Sequence, residues 1–353
     1  MKKIQTSNYP IYFIEDTYQP LIDLVEKKNY SKIFILVDTH TNEYCLMYFL
    51  QKFPFEVEVI EIETGEEYKN IETCLGVWGA MSELGADRKS LLINLGGGVV
   101  TDLGGFVAST YMRGIDFINI PTSLLAMVDA SVGGKTGVDL GMLKNQIGVI
   151  NTPEQICIDI QYLQTLPSEE LRSGLAEMFK HGLIYDENYW NQMTRLSDFS
   201  LEDLQGLIYD SVQIKNQIVT QDPTEKGLRK ILNFGHTLGH AIESFCLQNE
   251  HRRRLLHGEA IIIGIILASF LSVKKTSFPQ KKCDFIKENL LQYFEQQSFT
   301  KNEISEIISL MKFDKKNSHG AINFVLLEDI ANPKLDCHVD NDLIYQAFEY
   351  YVV

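Results

Sequence analysis

The chain has 353 residues, 45% hydrophobic and 22% charged, which suits two folded domains and excludes extended disorder. A formal net charge of −15 excludes the basic footprint of a nucleic-acid binder. It also sets a condition: an acidic protein that takes an anionic ligand must gather its cations locally.

Met1-Lys2-Lys3-Ile4-Gln5 runs into Ser7 and Asn8 without an apolar stretch, so no secretory signal is expected and a cytoplasmic protein is. Lys32 to Val37 reads as a buried strand ending at Asp38, and Phe55 to Ile62 alternates as a second. Ile71 to Leu84 has helical spacing and stops near Gly85. Ser90 to Leu95 is a strand that runs into Gly96-Gly97-Gly98, with a helix expected over Asp102 to Ser109. Phe117 to Ile120 is a short strand stopped by Pro121. Strands alternating with helices predict an α/β domain with a parallel sheet over residues 1–165.

After Thr165 the pattern turns helical. Pro167-Ser168-Glu169-Glu170 marks a helix start, with Ser168 able to cap and the glutamates suited to the positive helix end. Helices are expected over Glu170–Leu183, Leu201–Thr220, Leu228–Cys246, His257–Val273, Lys281–Gln297 and Lys301–Met311, giving a mostly α-helical domain over 166–353. The longest apolar run, Ala260 to Val273, is shorter than the roughly 20 residues a membrane span needs and reads as a core helix. Cys45, Cys74, Cys157, Cys246, Cys283 and Cys337 form no CxxC pair and read as reduced thiols.

Gly96-Gly97-Gly98-Val99-Val100-Thr101-Asp102 follows a strand and opens a helix, the context in which glycines let a phosphate approach unpaired N–H groups. Thr101 stands where GxGxxG has its last glycine, so the turn alone is read either as a phosphate cradle or as a plain tight turn. Asp38, at a strand end, is placed to meet ribose hydroxyls, and Gly65-Glu66-Glu67-Tyr68-Lys69 follows the next strand.

Metal-ligand types recur in three segments: Glu177 and His181 on one helix, His236 and His240 one turn apart on another, and His257 at the start of the apolar helix. A carboxylate with two imidazoles and an open position is a usual catalytic zinc arrangement. Spacing does not choose among the three histidines, nor between Glu177 and His181. Arg113, Lys135, Lys144, Lys180, Lys215, Arg229, Lys315 and Lys316 are cations in or beside these segments, and gathered together they would form the anion site the net charge demands. Gly133-Gly134-Lys135-Thr136-Gly137 is only half a phosphate loop, which disfavours a nucleotide triphosphatase.

With these segments in place, the chain resembles the 3-dehydroquinate synthases of the sugar phosphate cyclase family. The matching runs are GEEYKN from Gly65, GGGVVTDLGGFVAS from Gly96, YMRGI from Tyr111, IPTSLLAMVDASVGGKTGVDL from Ile120 and LKNQIG from Leu143. They continue with GLAEMFKHGLI from Gly174, DPTEKGLRKILNFGHTLGHAIE from Asp222, LLHGEAIIIG from Leu255 and DKKN from Asp314. The resemblance implies an α/β N-terminal dinucleotide-binding domain with a parallel sheet, a mostly α-helical C-terminal domain and a homodimer. It implies a lyase of the shikimate pathway, on the route to chorismate and the aromatic amino acids. That lyase converts 3-deoxy-D-arabino-heptulosonate 7-phosphate to 3-dehydroquinate and phosphate. The steps implied are transient oxidation by NAD, phosphate elimination, re-reduction, ring opening and intramolecular aldol closure.

By resemblance the metal, zinc or cobalt, falls on Glu177, His236 and His257. NAD contacts fall on Asp38, Glu66, Lys69, Gly97, Gly98, Asp102, Thr122, Ser123, Lys135, Lys144, Asn145 and Thr165. Catalytic and substrate contacts fall on Asp129, Lys135, Asn145, Lys180, His240, Lys215, Arg229, Asn233 and Lys315 or Lys316, with Arg113 reaching the partner subunit's phosphate site. The expected partner is a small sugar phosphate, with no nucleic acid and no membrane. Thr101, Gly104, Ser123 and Asp139 depart from the commonest family spelling, and Asp139 adds a charge near the lysines. Other readings are a related cyclase acting on sedoheptulose 7-phosphate or glucose 6-phosphate, and a metal- and NAD-dependent polyol dehydrogenase. A regulatory protein that kept the fold is the non-enzymatic reading.

Overall fold

The apolar runs of the first half are strands covered on both faces. In the computed structural model, which describes residues 2–141, 143–196, 199–311 and 322–353, β3 (Ile33–Asp38) and β5 (Leu91–Gly96) are buried at every position. Two buried faces explain a continuous apolar run in place of an alternation. With β1 (Lys3–Gln5), β2 (Pro10–Phe13), β4 (Glu58–Ile62), β6 (Asp116–Pro121) and β9 (Gln155–Ile158) they form a seven-stranded sheet of order β1-β2-β9-β6-β5-β3-β4. Only β1–β2 is antiparallel; β3 pairs with β5 from Ile33↔Leu91 to Leu36↔Asn94 and with β4 from Phe34↔Glu58 to Asp38↔Ile62. The chain steps outward from β3 to β4 and then returns to lay β5 on the other side of β3. The strand order therefore reverses at β3/β5, the place where open α/β sheets form their ligand crevice.

Helices α1 (Gln19–Lys28), α2 (Thr39–Thr41), α3 (Met47–Leu50), α4 (Ile71–Glu83) and α5 (Gly98–Thr110) belong to this unit, which spans Met1–Pro167. Phe34 and Leu36 meet Ile60, Val77, Met81, Leu92, Val100, Leu103 and Val107 in one core beneath α4 and α5. Helix α5 starts at Gly98, ahead of the expected Asp102, so it rises directly out of the glycine turn. A hairpin absent from the sequence reading, β7 (Lys135–Leu140) with β8 (Leu143–Ile150), packs Val138, Ile147 and Val149 onto the same core.

The second unit, Ser168–Val353, is mostly helical, so the fold class is the expected one: a parallel-sheet α/β unit followed by a helical one. Its helices are α6 (Ser168–Tyr185), α7 (Glu187–Met193), α8 (Leu201–Gln221), α9 (His236–Gln248), α10 (His257–Lys275), α11 (Gln280–Leu290), α12 (Lys301–Leu310) and α13 (Asn341–Val352). The single helix expected over Leu228–Cys246 is two elements, a 3₁₀ turn over Leu228–Asn233 and then α9. The break is Gly235, whose φ of +77° is left-handed backbone and whose Cβ would lie 2.9 Å from the Ile265 nitrogen. The helix expected to reach Gln297 ends at Leu290. A hairpin, β10 (Phe324–Asp329) with β11 (Asn332–Cys337), is an addition to the helical pattern. Lys315 and Lys316 lie outside the described residues.

Helix α10 is buried from Ala260 through Ser272, which accounts for its apolar run as core. It lies hard against two neighbours through glycines. A Cβ on Gly264 would sit 2.0 Å from the Gly235 carbonyl oxygen, and one on Gly258 would sit 2.2 Å from that of Ser173. The Gly258 N–H donates to Ser173 Oγ at 2.9 Å. These contacts bring the first turns of α9 and α10 and the middle of α6 together, and those turns carry the histidines and the glutamate.

Candidate functional sites in the two units

In the α/β unit the reversal point is bounded by the ends of β3 and β5. Gly97 precedes α5 with extended backbone and brings no side chain to cap it, so the first N–H groups of the helix keep their capacity to donate. A Cβ on Gly97 would reach to 3.4 Å from Ser123 Oγ, and one on Gly98 to 3.5 Å from Ala130 Cβ, so side chains there would fill the gap beside the turn. A cradle that glycine keeps empty, at the positive end of a helix, fits a pyrophosphate. Thr101 turns its hydroxyl back to the Gly97 and Gly98 carbonyls, at 3.1 and 3.2 Å, so its side chain stays out of that gap. Thr122, buried, donates its N–H to the Gly96 carbonyl and locks β6 against the turn.

Lys69 is the centre of the polar contacts beside the turn. Its buried ammonium donates to Asp102 Oδ2 at 2.6 Å and to Asn145 Oδ1 at 2.7 Å. Burial disfavours its charge, but Asp102 and Glu66 outweigh burial and raise the Lys69 pKa. Lys144 pairs with Glu66 at 3.3 Å. Asp38 ends β3 and caps α2: its Oδ1 accepts from the Thr41 N–H at 2.7 Å and hydroxyl at 2.9 Å. Thr165 is exposed just past the 3₁₀ turn Ile160–Gln164, and Lys135 is exposed at the start of β7. Asp129 lies in a π-helical turn, Ala126–Ala130, a rare element that is frequent at functional sites. Arg113 is exposed beyond α5, where Met112 and Arg113 both take positive φ, 49° and 73°. Left-handed backbone at two successive non-glycine residues stores strain.

In the helical unit, α6 places Glu177 in full burial. Its Oε2 is paired with Lys180 Nζ, one turn along. Its Oε1 is buried and accepts no hydrogen bond, while His236 Nε2 and His257 Nε2 lie 3.3 and 3.6 Å from it. The other ring nitrogens are directed elsewhere: His236 Nδ1 is 3.2 Å from the Phe234 carbonyl, and His257 Nδ1 is 3.4 Å from Glu243 Oε2. A ring nitrogen held in this way turns its opposite nitrogen toward a metal. His240, one turn after His236, sets its ring edge-on to that of His236 at 5.0 Å and tilted to that of His257 at 5.7 Å, and ligand atoms of the three lie within 4.8 Å of one another. One orphaned carboxylate oxygen facing two oriented imidazoles fits a divalent cation.

Electrostatics support the same point. Burial pushes the Glu177 carboxyl up, yet Lys180 and His236 outweigh it and hold it well below the carboxylate range. Burial pushes His257 down, yet Glu243 and Glu177 raise it to about 9. The carboxylate thus favours positive charge at its open oxygen, and a cation bound there would displace a proton. His181 is the alternative that spacing left open; its Nδ1 meets Ser211 Oγ of α8 at 2.8 Å.

Lys180, Lys215 and Arg229 are all buried, and α6, α8 and the Leu228–Asn233 turn that carry them pack together. Buried cations are the groups that a local anion site in a protein of net charge −15 would need. Asp222 shapes the loop before them, accepting N–H bonds from Lys226, Gly227 and Arg229 at 3.0, 2.7 and 3.1 Å. Arg229 Nη1 donates to the Pro223 carbonyl, and Asn233 Nδ2 to Glu225. Glu243 was not picked out by sequence reasoning as a site residue. Its signal was position, two turns after His236 on one helix face.

The fold and these groups define a class: enzymes that join a parallel-sheet unit carrying a glycine cradle to a helical unit carrying a carboxylate–histidine cluster. Two solved structures of that fold are similar over nearly the whole chain. One is 2-deoxy-scyllo-inosose synthase complexed with carbaglucose-6-phosphate, NAD+ and Co2+, at TM-score 0.84 and 24% identity over 99% of each chain. The other is 2-epi-5-epi-valiolone synthase from Streptomyces hygroscopicus subsp. jinggangensis with NAD+ and Zn2+, at TM-score 0.86 and 23% identity over 100% of this chain and 99% of that one. Residues 59–173 match the 3-dehydroquinate synthase N-terminal family, and residues 174–317 match its C-terminal family. The 3-dehydroquinate synthase of Parabacteroides distasonis is 39% identical over 98% of both chains. The chain belongs to the 3-dehydroquinate synthase family.

Proposed function

We infer that this chain forms 3-dehydroquinate and phosphate from 3-deoxy-D-arabino-heptulosonate 7-phosphate, as a carbon–oxygen lyase of the shikimate pathway. The carrying observation is the open Oε1 of Glu177 facing His236 Nε2 and His257 Nε2 in a chain that matches this family from end to end. Glu177, His236 and His257 hold one divalent ion, zinc or cobalt, and NAD lies along Asp38, Glu66, Lys69, Gly97, Gly98, Asp102, Thr122, Ser123, Lys135, Lys144, Asn145 and Thr165. The bound groups supply a hydride acceptor and a Lewis acid for a secondary alcohol. The protein supplies placement and charge. Lys180 keeps Glu177 ionised. Lys215, Arg229 and Asn233 anchor the anionic substrate with Lys315 or Lys316, and Asp129, Lys135 and Asn145 orient it. His240 exchanges the proton of the oxidised hydroxyl. In a homodimer Arg113 reaches the phosphate held by the partner subunit. The cytoplasm is the compartment such a reduced-thiol enzyme suits.

The test is a single assay on the purified chain with NAD and cobalt or zinc. Phosphate release from the heptulosonate phosphate, with 3-dehydroquinate as product and no net NADH, is expected. Net NADH would make it a polyol dehydrogenase. Turnover only on sedoheptulose 7-phosphate or glucose 6-phosphate would make it another cyclase.

A further inference from the structure

Near the turn end of the β7–β8 hairpin, Asp139 of β7 is tied to Asn145 of β8 and to Lys69. Asp139 Oδ1 accepts the Asn145 N–H at 2.6 Å, and the Asp139 N–H donates to the Lys69 carbonyl at 2.8 Å. Asn145 sits at φ +52°, a left-handed conformation that asparagine adopts more readily than other non-glycine residues. From that conformation its side-chain carbonyl meets Lys69 Nζ, which in turn meets Asp102 in the second turn of α5. Asp139 therefore lies at the outer end of a chain of contacts that runs through Asn145 and Lys69 to the helix rising from the glycine cradle. Glu66, Lys69 and Lys144 are the charged groups around it.

We propose that Asp139 is a positioning residue for NAD: its carboxylate oxygen pins Asn145, and Asn145 aims the Lys69 ammonium beside the glycine turn. This rests on the reading that NAD occupies that cradle. What Asp139 supplies is an acceptor, not its charge. An amide oxygen at the same place does the same work, whereas a methyl group does not.

The experiment measures NAD affinity by calorimetric titration, with amide hydrogen exchange at Asn145, in the wild-type chain, Asp139→Ala and Asp139→Asn. Asp139→Ala is expected to weaken NAD by about 5-fold, the scale of one lost neutral hydrogen bond, and to speed exchange at Asn145. Asp139→Asn is expected to restore both. Thermal melting checks that each variant folds, and Asp139→Ser, whose hydroxyl falls short of the Asn145 N–H, replaces the alanine variant if that one does not. Unchanged NAD affinity in the variant lacking the acceptor overturns the proposal. So does an asparagine variant as weak as the alanine one, which would make charge the operative property. A wild-type chain that fails to bind NAD overturns the cofactor reading beneath it, an outcome separable from the other two.

Discussion

The two units build their candidate sites from different materials. In the α/β unit the cradle is main chain: glycines at the end of β5 and bare N–H groups at the start of α5. In the helical unit the cluster is side chain: Glu177 from α6, His236 and His240 from α9, His257 from α10. A main-chain site tolerates changes around it as long as its glycines remain. A side-chain site depends on how three helices pack, so the glycines that matter there stand between helices and not against a ligand.

The largest expected effect tests the side-chain half. Glu177→Ala should lower metal affinity by more than about 100-fold, beyond the loss typical for a residue that only orients a ligand. Elemental analysis after dialysis reads it, and full metal occupancy would remove Glu177 from the site. Next comes a paired comparison of glycines. Gly258→Ala puts a methyl 2.4 Å from the Ser173 Cα, a backbone clash, and should cost about 3 kcal/mol in urea unfolding while also weakening metal binding. Gly97→Ala meets only ordinary contacts and should leave stability within about 0.5 kcal/mol while weakening NAD. If both variants behaved alike, the contrast between the units would fail.

The smallest effect is a control on an ion pair that joins the loop before α10 to α12. Arg252 donates to both oxygens of Glu303, at 2.7 and 2.6 Å, and these bonds lower the Glu303 carboxyl from 4.5 to about 2. Because the folded value lies below the unfolded one, the pair's contribution is complete above pH 4.5 and disappears as pH falls toward 2. Glu303→Gln should therefore cost under about 1 kcal/mol at neutral pH, with the gap to wild type closing in acid and metal affinity untouched.

How far the sequence discloses each unit follows from the same contrast. The strands β3, β5 and β6 are contiguous apolar runs, and the glycine turn is contiguous too, so both were legible. The β7–β8 hairpin was not, because much of β8 is exposed and its apolar residues carry no strong period. In the helical unit, Leu228–Cys246 has helical composition throughout, and only the packing of Gly235 on Ile265 shows why the chain must break there. The histidines were visible as residue types, but spacing left Glu177 and His181 equal. On α6 a step of four residues leaves Glu177 and His181 on one face, and what distinguishes them is their contacts: His236 and His257 beside Glu177, Ser211 beside His181.

Helix α10 gives the histidine cluster one more property. The helix that presents His257 is also the buried axis of its unit, pressed onto α6 and α9 by Gly258 and Gly264. An ion shared by Glu177, His236 and His257 would rivet the same three helices together at one end. Loading the cation and consolidating the fold then become a single event, and the melting temperature of this half should climb with free metal concentration.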